Sequence, residues 1–387
     1  MLNGTAPVRK RRATFWLLLL LLLLLAIEGL SAVATRILER RGWMASVPSF
    51  EPGDIERYFA GRDPHLGWSP TPVRGGSALR LRPARGDPVF PDSAPACGSA
   101  YGDSFTNGTE AGPASTYAHQ LGLALGCRVA NYGWGGFGSD QALMLFRAQR
   151  HLDRSRLVIL GHTTENILRN VNQSRHFLYP GNALGFKPRF VLDNGSLRYV
   201  PPVIRAPGDF ERLVRNPEAM LALDAFVSRP RRSFPYSIAL GRWLASDYHV
   251  RARLAGVPRH AAFYSAAHPS GALALTTEIL ATFDREARAE GRQPVVLLIP
   301  LGRDLRYARE TGRWTDQPLA DGLRSRGVPV VHAGPAMLAR LRGEDPCSLF
   351  HDCSAHFNDR GYLLLAQVLI DELRRARPAL FRPRPGP

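Results

Sequence analysis

Lysine is almost missing from this chain of 387 residues: the 50 basic residues include only two lysines, Lys10 and Lys187. Arginine scattered among Ala, Gly, Pro and Leu is what GC-rich coding gives, so the formal charge of +17 is no evidence for a nucleic-acid partner. Beyond the N-terminal tail, no basic run interleaves with aromatics as a nucleic-acid groove requires. Cysteine is also scarce. Its four residues show no Cys-x-x-Cys and no close Cys/His set, which argues against a zinc site and leaves no metal or cofactor to expect. No internal repeat is visible, and a hydrophobic content of 45% is enough to bury a large core.

The N-terminus does carry a long apolar run. Arg9, Lys10, Arg11 and Arg12 precede residues 13–27, which include nine successive leucines from Leu17 to Leu25. A basic tail followed by such a run is a membrane-insertion signal, with the tail on the cytoplasmic side and the rest exported. Ala32-Val33-Ala34 resembles a signal-peptidase site, so cleavage is the alternative to an anchor. The expected division is a basic tail (1–12), a transmembrane signal-anchor (13–34) and a stalk and wrapping segment (35–92). A main domain (93–377) with an insertion (173–270) and a Pro/Arg-rich tail (378–387) complete it. With the bacterial signature of the arginine skew, this places a single-pass protein in the inner membrane, its main domain periplasmic or extracellular.

From residue 95 onward, short apolar runs alternate with helical patterns. Strands are expected over 96–101, 128–132, 156–161, 294–300 and 328–332. Helices are expected over 115–125, 139–151, 165–171, 272–290, 319–326 and 360–375. Alternation of this kind gives an α/β fold, a mostly parallel five-stranded sheet with helices on both faces. The region 173–269 breaks the pattern, being rich in Pro and Arg and weakly periodic. Four cysteines suit an oxidising compartment. Cys97 could bridge Cys127 on a neighbouring strand, and Cys347 could close a short loop with Cys353; four buried thiols are the alternative.

The residues with chemical promise fall at strand ends. Gly102-Asp103-Ser104 offers a serine on a glycine-led turn, and a serine hydroxyl needs a base and oxyanion donors elsewhere in the chain. Three stretches follow in order: Asn131-Tyr132-Gly133-Trp134-Gly135-Gly136, then Thr163-Thr164-Glu165-Asn166, then Asp352-Cys353-Ser354-Ala355-His356-Phe357-Asn358. In an open parallel sheet, ligands sit outside the carboxyl ends of the strands, where Ser104, Gly136 and Asn166 all fall.

Taken together, these stretches resemble the motif blocks of the SGNH (GDSL-type) hydrolase family, over about residues 95–375. The resemblance implies a three-layer α/β/α sandwich of flavodoxin-like kind and a serine nucleophile at Ser104. It implies His356 as general base, with Asp352 orienting it, and an oxyanion hole from the Ser104 and Gly136 N–H groups and the Asn166 amide. Two departures stand out. Asp352 lies four residues before the histidine where the family has three, leaving Asp345 or a Ser-His dyad as alternatives. Gly161-His162-Thr163-Thr164-Glu165-Asn166 is longer than the family's third block, leaving Thr163 and Asn170 as rivals of Asn166. His332 and His351 are weaker rivals of His356, and Asp103 is expected to tighten the serine turn. The implied activity is cleavage of O-acyl esters, with O-acetyl esters of envelope polysaccharide, or lipid esters, as partners. An O-acyltransferase, a lipase or lysophospholipase, and an inactive glycan-binding module are the alternatives.

Overall fold

The computed structural model describes residues 6–68 and 85–381. The start of the basic tail, residues 69–84 of the wrapping segment and residues 382–387 of the terminal tail lie outside them. Five strands form one parallel sheet: β3 (Ala96–Gly102), β4 (Arg128–Gly133), β5 (Leu157–Thr163), β8 (Gln293–Ile299) and β9 (Val330–His332). Two antiparallel pairs stand outside it, β1 (Arg62–Asp63) with β2 (Gly67–Trp68) and β6 (Arg189–Asp193) with β7 (Ser196–Val200). Each predicted strand of the main sheet is present within two residues of its expected ends.

Composition explains the layering. All seven residues of β5 are buried, so apolar side chains leave on both faces and both faces need covering. Helices Tyr117–Leu125, Ala333–Arg340 and Asp359–Ala376 cover one face through a cluster that includes Leu121, Ile159, Leu297, Met337 and Leu365. Helices Ser139–Gln149, Ala272–Ala289 and Gln317–Arg324 cover the other through Leu143, Phe146, Val158, Phe283 and Leu323. The result is the expected three-layer α/β/α sandwich.

The sheet order is β4-β3-β5-β8-β9. The chain steps from β3 outward to β4, then returns past β3 to β5 and continues in the opposite direction. The carboxyl end of β3 therefore lies at the point where the winding reverses, where the diverging loops leave a crevice.

The insertion has more structure than its weak periodicity indicated. Besides the β6–β7 hairpin it forms helices Gly208–Arg215, Tyr236–Ser246 and Tyr248–Leu254. Phe186, Phe190, Phe210, Leu213 and Phe226 join the same apolar cluster as the sheet. Lys187 pairs its ammonium with Asp140 at the start of helix Ser139–Gln149, and both side chains are almost wholly buried. Burial pulls the Lys187 pKa down, with the Asp140 charge opposing it. The two cysteine pairs are bridged as expected, Cys97 to Cys127 and Cys347 to Cys353.

At the N-terminus one helix runs unbroken over Ala6–Arg40, six residues past its predicted end. Among the described residues it is the one helix long and apolar enough to cross a membrane, a property shared with signal sequences. Its second half packs on helix Tyr236–Ser246, burying Ser31 and Thr35. There the Glu28 carboxylate accepts from the backbone N–H groups of Tyr236 and Ser237 and from the Ser237 hydroxyl at 2.7 Å. The chain then lies along the domain: the Trp43 carbonyl accepts from Arg229 and from the indole of Trp243, and Tyr58 packs edge-on against Phe186 and Phe210.

Candidate active site

Ser104 begins a four-residue helix, Ser104–Asn107, directly after β3. Asp103 caps it: its extended backbone turns the chain, and its Oδ1 accepts from the Phe105 N–H at 2.9 Å. The other oxygen, Oδ2, takes the Thr163 hydroxyl and Arg169 Nη1, so this buried carboxylate is spent on holding the turn. The helix sits hard against the neighbouring strand end. A Cβ on Gly133 would meet the Asn107 N at 2.3 Å, so only glycine lets β4 and the serine helix approach this closely.

His356 reaches the serine from the opposite end of the sequence. Its Nε2 lies 2.8 Å from Ser104 Oγ, and its ring packs against Phe105. The loop that carries it is fixed on several sides. Cys347–Cys353 closes the preceding turn, Phe350 bridges Phe357, and Asn358 caps helix Asp359–Ala376 by accepting from the Gly361 N–H at 3.0 Å. His332 is occupied with Asp316 at 3.2 Å, and His351 faces the Glu110 carbonyl.

The carboxylate at the other imidazole nitrogen is not the expected one. Asp352 is exposed, its Oδ1 accepts from the Ser354 N–H at 2.9 Å in a local turn, and it makes no bond to His356. Asp345 likewise caps its own turn at Cys347. The group facing His356 Nδ1 is Glu110, with Oε1 at 3.4 Å. The Asp352 side chain turns back on its own loop, and Glu110 stands at the imidazole nitrogen in its place. Glu110 holds a left-handed backbone, φ 67°, which costs a non-glycine residue roughly 1–2 kcal/mol. That conformation is imposed by its neighbours. Arg85 donates to the carbonyls of Asn107, Gly108 and Ala111, the Tyr362 hydroxyl donates to that of Thr109, and Asp359 accepts from the Gly112 N–H.

The expected oxyanion donors converge on the same strand ends. Trp134 N donates to the Gly102 carbonyl, which lays the loop after β4 beside the serine turn. Trp134 to Phe137 form a tight turn with Gly136 at its third position, φ 78°, a conformation glycine adopts without cost. The turn's own bond runs from Phe137 N to Trp134 O and leaves the Gly136 N–H out of it. Asn166 opens the helix after β5 and is fully buried. Arg169 Nη1 donates to Asn166 Oδ1 at 3.0 Å, and also to Asp103 Oδ2 and the Phe137 carbonyl. This fixes the amide orientation and brings the three loops together around one guanidinium. Asn166 Nδ2 has no partner among the described residues, although it is buried. A buried donor left without a partner costs about 1–3 kcal/mol, so this amide is available to an acceptor brought to the serine. The rivals are engaged elsewhere: the Thr163 hydroxyl on Asp103, and Asn170 on the Asp140 N–H and Thr276.

A second serine–histidine contact is structural. Ser139 Oγ lies 2.7 Å from His162 Nδ1, but both residues are sealed in the core, and burial with the His260 charge pulls the His162 pKa down to about 3.

Three further residues contact this site that sequence reasoning did not single out for it: Arg175, Tyr179 and Arg259. Glu165 accepts from Tyr179 at 2.5 Å and pairs with Arg169 and Arg259. Arg175 donates to the Gly136 carbonyl at 2.5 Å. No spacing marks these residues, since they come from the irregular insertion.

No family model and no curated protein matches the chain. Among solved structures it is similar to a protein assigned to the G-D-S-L lipolytic family from Desulfitobacterium hafniense, at 11% identity, covering 71% of this chain and 98% of that one, with a TM-score of 0.35. A lipolytic G-D-S-L protein from Veillonella parvula has 10% identity, coverages of 70% and 95%, and a TM-score of 0.33. A two-domain esterase active on acetylated mannans has 12% identity, coverages of 75% and 52%, and a TM-score of 0.34.

Proposed function

We propose that this chain is a serine esterase of the SGNH (GDSL-type) kind, held at a membrane by its N-terminal helix and cleaving O-acyl, chiefly O-acetyl, esters of envelope polysaccharide. The observation that carries the proposal is the 2.8 Å contact between His356 Nε2 and Ser104 Oγ, with a carboxylate facing the other imidazole nitrogen. A serine with a base at one side and a carboxylate behind that base is the arrangement that nucleophilic acyl transfer needs.

In the reaction, His356 Nε2 takes the Ser104 proton as Oγ attacks the ester carbonyl. Glu110 stabilises the imidazolium that forms. The carbonyl oxygen becomes an oxyanion held by the N–H groups of Ser104 and Gly136 and by the Asn166 amide, donors aimed where charge develops. His356 then gives its proton to the departing alcohol, leaving an acyl ester on Ser104. Water, deprotonated by His356, attacks that ester, and collapse of the second tetrahedral intermediate frees the acid and restores the serine. A sugar hydroxyl in place of that water would make the same machinery an O-acyltransferase.

A fluorophosphonate probe tests the proposal directly. Labelling of the full chain that vanishes in Ser104→Ala supports the enzyme, and acetate release from acetylated polysaccharide separates hydrolysis from transfer. Absence of labelling in well-folded protein would leave a glycan-binding module.

A further inference from the structure

Among the described residues beside the serine turn, one guanidinium forms no ion pair with a carboxylate. Three arginines and two carboxylates meet beside the serine turn, and their pairing can be followed atom by atom. Arg169 is shared between Asp103 at 3.2 Å and Glu165 at 3.4 Å. Arg259 pairs with Glu165. Arg175 has no carboxylate within ion-pair distance among the described residues, and the Asp103 charge supports it only from further away. The remaining carboxylate of the site, Glu110, faces His356 Nδ1 and gains its partner there when the histidine takes the proton.

Arg175 is also built into its position. Its stem is packed so closely against Gly185 that a Cβ there would meet Arg175 Cβ at 2.9 Å. Its Nη1 sits on the Gly136 carbonyl, the back of the peptide turn next to the serine. The guanidinium lies over the rings of Trp68 and Tyr179, 5.3 and 4.7 Å from their centroids. Trp68 is fixed in turn by its indole N–H on the Gly135 carbonyl at 3.0 Å, and Tyr179 by its bond to Glu165. Burial and the Arg169 charge pull the Arg175 pKa down to about 10, so it remains a cation at neutral pH. A half-buried, rigid, unpaired guanidinium is costly unless an anion completes it.

We infer that Arg175, framed by Trp68 and Tyr179, is an anion subsite beside the nucleophile, and that the ester substrate carries an oxyanionic group, a carboxylate or a phosphate, close to its acyl ester. The inference rests on the esterase reading above and narrows its substrate class. The planar fork of arginine binds either oxyanion through two parallel hydrogen bonds, and the two rings hold that fork in place.

The test compares acetylated glucuronic acid and acetylated glucose 6-phosphate with their neutral counterpart, acetylated glucose, on the full chain. Expected is a kcat/KM at least about tenfold higher for one or both anionic esters, carried mainly by KM and shrinking as salt rises. Which anion gains more tells the carboxylate source from the phosphate source. Arg175→Gln is expected to bring the ratio close to one, and Arg175→Lys to restore part of it. Equal kcat/KM for all three esters in the wild type overturns the inference. Should Arg175→Gln fail to fold, glucuronate and inorganic phosphate replace it as competitors of 4-nitrophenyl acetate in the wild type at constant ionic strength. Competition by either anion but not by glucose supports the subsite, and competition by neither overturns it. Fluorophosphonate labelling of Ser104 is read in the same preparation: labelled protein without anion preference loses the subsite alone, whereas unlabelled protein loses the esterase reading as well.

Discussion

Glu110 gives the sharpest prediction, because its two properties pull stability and rate in opposite directions. Its carboxylate lies 3.4 Å from His356 Nδ1, with about half of the Glu110 side chain and a quarter of the His356 side chain exposed. At that separation the attraction to an imidazolium is about 1 kcal/mol in bulk water and about 5 kcal/mol at the effective dielectric of a protein surface. Exposure of this degree moves the value toward the aqueous end, to roughly 1–2 kcal/mol, or about 5- to 30-fold in kcat. Glu110→Gln should therefore lower kcat on 4-nitrophenyl acetate by about that factor with KM little changed, far less than His356→Ala. The deficit should narrow in 1 M salt, where the wild-type pair is screened. Glu110→Gly should lose the same rate yet melt at a higher temperature, since glycine relieves the positive φ worth about 1 kcal/mol. Asp352→Asn should leave kcat within about twofold of wild type. A Glu110→Gln enzyme as fast as the wild type, or an Asp352→Asn enzyme tenfold slower, would refute this assignment of the acid.

Asn166→Ala should reduce kcat about 10²- to 10³-fold, the cost of losing one oxyanion donor, with the thermal melt close to wild type. Lys187→Met should destabilise by about 3–5 kcal/mol in urea unfolding, because it leaves the buried Asp140 charge uncompensated. Replacing Cys97 and Cys127 by alanine should cost about 3–4 kcal/mol, the loop entropy expected for a bridge across 30 residues. Acid should destabilise through His162. Its pKa of about 3 in the fold lies below the usual value, so the unfolded chain binds a proton first as pH falls below about 6.5. Stability is then lost at about 1.4 kcal/mol per pH unit down to about pH 3, and His162→Gln should flatten that slope in unfolding measured from pH 7 to 4.

The parts of the fold that were legible in the sequence are those with a short period. β5 announces itself as the apolar run Leu157–Leu160 ended by Gly161, β8 as Val295–Ile299 between two prolines, and the helix 272–289 as an amphipathic pattern with a defined end. Ser104, Gly136 and His356 were legible because each follows a strand or precedes a helix whose signals are strong. The insertion was not, since Phe186, Phe190, Phe210 and Phe226 pack from irregular backbone with no common spacing. Glu110 lay beyond reach for a different reason. Its place beside His356 depends on a left-handed turn fixed by Arg85 on one side and by Asp359 and Tyr362, about 250 residues further along the chain, on the other. Asp352 is near His356 in sequence, yet its side chain is spent on the Ser354 N–H of its own loop.

The unbroken helix Ala6–Arg40 makes the N-terminus a lever, where a flexible tether would have been the simpler design. From Glu28 to Arg40 it runs about 18 Å along the domain, and the Glu28 carboxylate joins it to the first turn of helix Tyr236–Ser246. Whatever the leucine-rich half enters, the serine is held at one height and one tilt above it. For the proposed anchored esterase, the reach of the serine is then a thin layer, through which a polymeric substrate would have to be threaded.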